Sequence, residues 1–168
     1  RRPPATHWPV CGMGPALAGR APSAELKLPS MPSTSHSRSH AITDVIICTT
    51  CRPAGASRDL PAAGAELFEA VQTEQLLQDE PFDRVRVRGM ACLSSCSRSC
   101  SVAFQAPGKH TYLFGDLQPD EVTAQHVLAC AALHATATDG NMLRNDRPER
   151  LRSGILARLP PSLETTTL

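Results

Sequence analysis

From residue 42 onward, the spacing of apolar and polar positions predicts the elements one by one. Ile42 to Ile47 (ITDVII) is β-branched and predicts a buried strand, ended by Cys48-Thr49-Thr50-Cys51. A loop, Arg52 to Ser57, follows. Leu60, Ala63, Leu67, Val71 and Leu76 or Leu77 then recur every three to four residues, the period of an amphipathic helix. Ser57 or Asp59 is its candidate cap, Pro61 suits its first turn, and Gly64 weakens it slightly. Phe82 to Met90 sets Val85 and Val87 against Arg84, Arg86 and Arg88, a strand with one solvated face. Ser101 to Ala106 and His110 to Leu117 read as strands joined by the turn Pro107-Gly108-Lys109. Asp120 caps a helix over Glu121 to Ala137, and Asp139 to Leu168 reads as an irregular tail with one short helix near Glu149 to Ala157. The order strand, helix, strand, cysteine loop, strand, strand, helix predicts an α/β domain over residues 41–138, with helices packed on a small mixed sheet.

Composition separates residues 1–40 from the rest. They hold seven of the 15 prolines, one acid (Glu25) and five bases (Arg1, Arg2, Arg20, Lys27, Arg38), a net charge of +4. Such a segment cannot bury enough apolar surface to offset the entropy of ordering it. It reads as disordered, or as an extension upstream of a natural start at Met31. A targeting peptide is the alternative, but no apolar core of 7–15 residues follows the arginine pair.

The whole chain of 168 residues has a net charge of +1 and six aromatic residues. That speaks against a polybasic nucleic-acid binder and against base or sugar stacking. The three arginines of the second strand fit a solvated face better than a nucleic-acid patch. No apolar run approaches the ~20 residues of a membrane helix, so no membrane contact is expected; cysteine ligation in a reducing cytoplasm is the simpler account of the thiols, so a cytoplasmic location is expected.

The seven cysteines are too few for a disulfide scaffold, which runs above ~8–10%, and too clustered for chance core positions. Cys48 and Cys51 form C-x-x-C at a strand end; Cys92, Cys96 and Cys100 form C-x3-C-x3-C after another strand. Two loops leaving one edge of a sheet supply the convergence that a metal or iron–sulfur site needs. Thiol–disulfide chemistry at Cys48 and Cys51 is the second reading, although Arg52 is the only nearby charge that could acidify a thiol. Buried free cysteines are the third, disfavoured by the surrounding Ser, Arg and Gly. Zinc accepts the same ligands, but the C-x3-C spacing departs from the paired C-x-x-C of a zinc ribbon. Cys11 lies in the N-terminal segment, and Cys130, among Leu128, Ala129, Ala131 and Ala132, reads as core. His110, His126 and His134 are too scattered to add a ligand.

The segment around Cys92 resembles the thioredoxin-like [2Fe-2S] ferredoxins, which carry a C-x3-C after the second strand, then a Gly-Pro pair, a strand and a tyrosine-bearing hairpin. Cys92-Leu93-Ser94-Ser95-Cys96 matches the pair, Val102, Phe104 and Tyr112 follow suitably, and Ser99-Cys100 stands in place of Gly-Pro. One departure is the first pair: those ferredoxins separate their first two ligands by about ten residues, and Cys48 and Cys51 are separated by two. The strings CTTCRPAG, CLSSCSRSC, APGKHTYLFGDL and DGNMLRNDRPERLRSGILARLPP are also similar to a bacterial family of predicted metal-binding proteins of unknown function, over residues 45–161. Members of that family are often encoded beside cobalamin-biosynthesis genes, which implies a metal or redox role near corrin metabolism.

Together the residues and the resemblances lead to a thioredoxin-like α/β domain with a cysteine-ligated centre. The expected cofactor is a [2Fe-2S] cluster, with zinc as the alternative. Cys48, Cys51, Cys92 and Cys96 are the expected ligands and Cys100 a fifth thiol or substitute. Backbone N–H groups and Ser94, Ser95, Ser97 and Ser99 are candidate donors to the sulfurs. The work implied is electron transfer with an unknown redox partner protein, from a monomer or homodimer, rather than catalysis. A thiol–disulfide oxidoreductase or metallochaperone using Cys48 and Cys51, and a zinc-stabilised interaction module, are the competing functions.

Overall fold

A computed structural model of the chain describes residues 41–78 and 82–162. The expectations for residues 1–40 and for the last six positions lie outside the described residues. Five strands form one sheet in the order β2-β1-β3-β4-β5: β1 (Thr43–Cys48), β2 (Val85–Met90), β3 (Val102–Gln105), β4 (Thr111–Phe114) and β5 (Ile155–Leu159). Helix α1 (Ala63–Leu77) carries the chain from β1 to its parallel neighbour β2, and α2 (Glu121–Thr136) follows β4. The remaining pairs, β1–β3, β3–β4 and β4–β5, are antiparallel. A parallel β-α-β unit joined edge to edge with a β-β-α unit is the thioredoxin-like arrangement.

Burial follows the strand period of two. Thr43, Val45 and Ile47 of β1 are fully buried, as are Val102 and Phe104 of β3 and Phe114 of β4. They meet Leu67 and Val71 of α1 and Val127, Leu128 and Ala131 of α2, and the two helices pack on each other. Phe104 and Phe114 meet edge to face, 5.7 Å between centroids. Each such side chain contributes roughly 1.5–3 kcal/mol on burial. Asp44 points the other way and pairs with Arg86 and Arg88 of the neighbouring strand. These arginines are more than half exposed, so the pairs help fix register and add little stability. The expected solvated face of β2 is therefore present, as is the β3–β4 hairpin, whose turn uses Gly108 at φ +68.

Two expectations need correcting. The chain beyond Asp139 is not an irregular tail: a single 3-10 turn, Glu149–Leu151, leads into β5, which pairs with β4 from Thr111↔Leu159 to Phe114↔Ile155. Nor do Ser57, Asp59 or Pro61 start α1. The helix begins after Ala62, which has no side-chain cap. Asp120 does cap α2, accepting from the Thr123 N–H at 2.7 Å. Cys130 is buried as expected. Among the described residues no helix is long and apolar enough to cross a membrane.

His134 of α2 is fully buried and satisfied on both ring nitrogens. Nε2 lies 2.8 Å from the His110 carbonyl and must donate to it, so Nδ1 accepts from the Thr43 hydroxyl at 2.9 Å. Lys109 closes the same helix end, donating from Nζ to the His134 and Ala135 carbonyls. Burial, with the nearby charges of Lys109 and His110, holds the imidazole pKa below its ordinary value, against the pull of the His110 carbonyl. The unfolded chain takes up a proton near pH 6.5 that the folded chain resists. Stability should therefore fall as pH drops below about 6.5, and His134→Gln should flatten that part of the profile. Urea unfolding at pH 7.5, 6.5 and 5.5 checks this; equal slopes for wild type and variant would remove His134 as the cause.

Candidate functional site

Strand direction decides where the cysteines meet. Because β1 and β2 are parallel and in register from Thr43↔Val85 to Cys48↔Met90, both strands end side by side. Because β3 is antiparallel to β1, it starts at that same end, with Val102 opposite Ile47. Cys48 and Cys51 leave β1 there, Cys92 and Cys96 follow β2, and Cys100 precedes β3.

The turn after β1 is clamped from both sides. The Cys48 N–H donates to the Ser101 carbonyl at 3.1 Å and the Thr49 N–H to the Met90 carbonyl at 2.8 Å. On the other side α1 presses its first turn against the backbone. The Gly64 N–H donates to the Cys51 carbonyl at 3.0 Å, and a Cβ at Gly64 would sit 2.0 Å from the Cys48 carbonyl oxygen. Gly64 is thus a requirement of close approach, where sequence alone suggested only a weakened helix. Arg52 does not act on a thiol. Its Nη1 donates to the carbonyls of Ser57, Leu60 and Pro61 at 2.9, 2.7 and 3.1 Å, tying down the loop into α1.

Three thiols are buried together and two are exposed. Cys48, Cys51 and Cys100 have 1–2% of their surface accessible, whereas Cys92 and Cys96 face solvent. Burial pushes the Cys48 thiol up, but donors outweigh it: the Cys51 thiol, the Leu93 and Thr50 N–H groups and the Thr50 hydroxyl. The net shift is downward. Cys51 is raised, by burial and by donating to Cys48, with Ser101 opposing; its Sγ lies 3.4 Å from the Ser101 hydroxyl. Cys100 is pushed up to about 12 by burial and by the negative charge that Cys51, Cys48 and Glu66 would carry.

The loop that carries Cys92 and Cys96 is shaped by its backbone. Ser94, at φ 57, turns its N–H onto the Cys92 Sγ at 3.2 Å. The Arg98 N–H closes a 3-10 turn on the Ser95 carbonyl at 2.9 Å. Arg98 then locks that turn to the end of β4: its guanidinium grips both Asp116 carboxylate oxygens, and its carbonyl accepts the Asp116 N–H at 2.9 Å. A Cβ at Gly115 would come within 2.5 Å of the same carbonyl. Cys100 and Leu117 exchange both backbone hydrogen bonds, at 3.0 and 3.2 Å.

All five expected residues therefore hang from one end of the sheet, and Cys100, placed there only by resemblance, packs with Cys48 and Cys51. The Cys48 thiol contacts the carbonyl of Ala91, the residue before Cys92, 3.8 Å away. Among the described residues no three His, Cys, Asp or Glu side chains converge closely enough to hold a metal ion. The donor chemistry fits a thiolate-ligated centre all the same. Soft sulfur ligands are supplied in excess, donors already reach two of the sulfurs, and the buried Ser95 hydroxyl has no hydrogen-bond partner among the described residues. Thr50, Leu93, Ser101 and the Arg98–Asp116 pair were missed in the sequence, because nothing in their spacing signals which sulfur or loop they serve. Cys130 stands apart, its thiol 3.5 Å from the Met142 sulfur and pushed up to about 12 by burial.

The chain belongs to the family described as "Protein of unknown function (DUF1636)", which matches residues 45–161. No curated protein matches it in sequence. Among solved structures it is similar to a thioredoxin-like [2Fe-2S] ferredoxin from Aquifex aeolicus, at 16% identity and a TM-score of 0.45, over 73% of this chain and 97% of that one. It is also similar to a cysteine-to-serine variant of the thioredoxin-like [2Fe-2S] ferredoxin from Aquifex aeolicus, at 13% identity and a TM-score of 0.44, over 69% of this chain and 99% of that one.

Two outcomes are expected from this geometry. Gly64→Ala should destabilise the protein by roughly 1–3 kcal/mol, because the added methyl meets backbone that cannot rotate away; chemical denaturation measures it. In the reduced, metal-free protein, iodoacetamide should label Cys92 and Cys96 first and leave Cys48, Cys51, Cys100 and Cys130 unlabelled until unfolding. Peptide mass spectrometry gives the order, and early labelling of Cys51 would contradict its burial.

Proposed function

We propose that the protein is a cysteine-ligated redox protein carrying a [2Fe-2S] cluster, with electron transfer to a partner protein as its work. The observation that carries this is the gathering of five of the seven cysteines at one end of the sheet, on two loops and a strand entry. Cys48, Cys51, Cys92 and Cys96 are the ligands in this reading, and Cys100 is a neutral fifth thiol beside them. When bound, the cluster supplies one-electron chemistry. The chain supplies the rest. The Leu93 and Thr50 N–H groups stabilise negative charge on the Cys48 sulfur. The Ser94 N–H does the same at Cys92. Arg98 and Asp116 hold the second ligand loop against β4. Exposure of Cys92 and Cys96 leaves that side of the site open to a partner.

A second reading has its own support. Cys48 and Cys51 sit at the two ends of one buried turn and influence each other's ionisation, Cys48 shifted down and Cys51 up. That asymmetry suits an attacking and a resolving thiol.

Anaerobic purification separates the two. The cluster reading expects a coloured protein with iron and acid-labile sulfide, in which the exposed Cys92 and Cys96 resist alkylation until iron is removed. Cys92→Ser or Cys96→Ser should abolish metal uptake, while Cys130→Ser should leave it intact. A colourless protein with stoichiometric zinc sinks the cluster. Cys48 and Cys51 that close to a disulfide on mild oxidation and reopen with dithiothreitol, in protein that takes up neither iron nor zinc, favour the thiol pair.

A further inference from the structure

The loop between Cys92 and Cys96 contains one group that the site described so far leaves unexplained. Ser95 is only partly covered, yet its hydroxyl oxygen is buried and has no hydrogen-bond partner among the described residues. A serine at a loop surface can rotate its hydroxyl into water; this one is turned away from it. Local geometry holds it there. The Ser95 carbonyl accepts the Arg98 N–H at 2.9 Å, and Arg98 is fastened to Asp116 through both side chain and backbone. Its neighbour on the loop already directs a donor at sulfur, the Ser94 N–H at Cys92, 3.2 Å away. Ser97, by contrast, is exposed.

We propose that the Ser95 hydroxyl, buried and unpartnered in the ligand loop, is a hydrogen-bond donor to a sulfur of the metal–thiolate centre. The role rests on the metal-centre reading above and makes Ser95 a positioning and tuning residue. A donor to sulfur stabilises the more negative, reduced state, so it raises the reduction potential and holds the metal more tightly. The same hydroxyl is a burden without the centre, since a buried, unpaired polar group costs stability.

The test compares wild type, Ser95→Ala, Ser95→Thr and Ser97→Ala in the full chain, both metal-free and reconstituted anaerobically with ferrous iron and sulfide. Metal-free Ser95→Ala should melt at or above wild type. Loaded Ser95→Ala should have a lower midpoint potential and lose iron to a chelator about tenfold faster. Ser95→Thr should restore both, and Ser97→Ala should match wild type throughout. Equal potential and equal iron loss in Ser95→Ala overturn the role. So does a clear fall in the metal-free melting temperature, which would reveal a partner within the protein. If the wild type takes up no iron and sulfide, the cluster reading fails by itself, and cadmium becomes the probe through its thiolate charge-transfer absorbance. Weaker cadmium binding by Ser95→Ala then supports the donor role, and equal binding ends it.

Discussion

The approach of α1 to the backbone of Cys48 is the contact on which the site depends. Only hydrogen on Gly64 leaves room for the Cys48 carbonyl, and that approach lets the Gly64 N–H reach the Cys51 carbonyl. The turn Cys48-Thr49-Thr50-Cys51 is thereby trapped between the helix and the strand ends. The burial of Cys48 and Cys51 follows from it, as does the contact of Cys51 with Ser101. Arg52 completes the trap at some distance, gathering three loop carbonyls that would otherwise compete for water.

The second cysteine loop is anchored differently, by the C-terminal half of the chain. Gly115 N–H donates to the Gly154 carbonyl at 2.9 Å just before β5, and Asp116 meets Arg98. Pairing of β5 with β4 thus reaches, through two residues, the turn that contains Cys96. Residues 140–159 therefore belong to the cysteine domain physically. The ion pair at its centre is half exposed on both sides, so its value lies in fixing a loop geometry more than in stabilising the fold.

Much of this was legible in the pattern of residues. Alternation in FDRVRVRGM and β-branching in ITDVII identify β2 and β1, and Asp120 announces α2, because each signal is local. The failures have non-local causes. Ile155 to Leu159 is apolar at 155, 156, 157 and 159, a pattern compatible with either period, and only the open edge of β4 makes it a strand. The start of α1 was misplaced because Ser57 and Asp59 hydrogen-bond with each other instead of capping a helix. At the site, the two cysteine groups could be read from spacing, and Cys100 only from resemblance. Which thiols are buried, and which groups donate to them, depends on register and on loop closure that sequence spacing does not encode.

For the proposed four-thiolate centre, burial also distinguishes among the five thiols. Ligation requires thiolates, so each ligand must lose a proton in its own environment. Cys48 is the least costly of the buried trio, since the Leu93 and Thr50 N–H groups favour its charged form. Cys100 is the most costly: no compensating donor counters its burial, and charge on Cys48 or Cys51 makes its own ionisation harder still. Cys92 and Cys96 face solvent. In the proposed centre, a set made of Cys48, Cys51, Cys92 and Cys96 places two thiolates in apolar surroundings, where a set that lacks Cys92 or Cys96 places three. Adding Cys100 in place of an exposed cysteine would bury a third negative charge within one pocket of the core, an arrangement that only a strongly bound cation could offset.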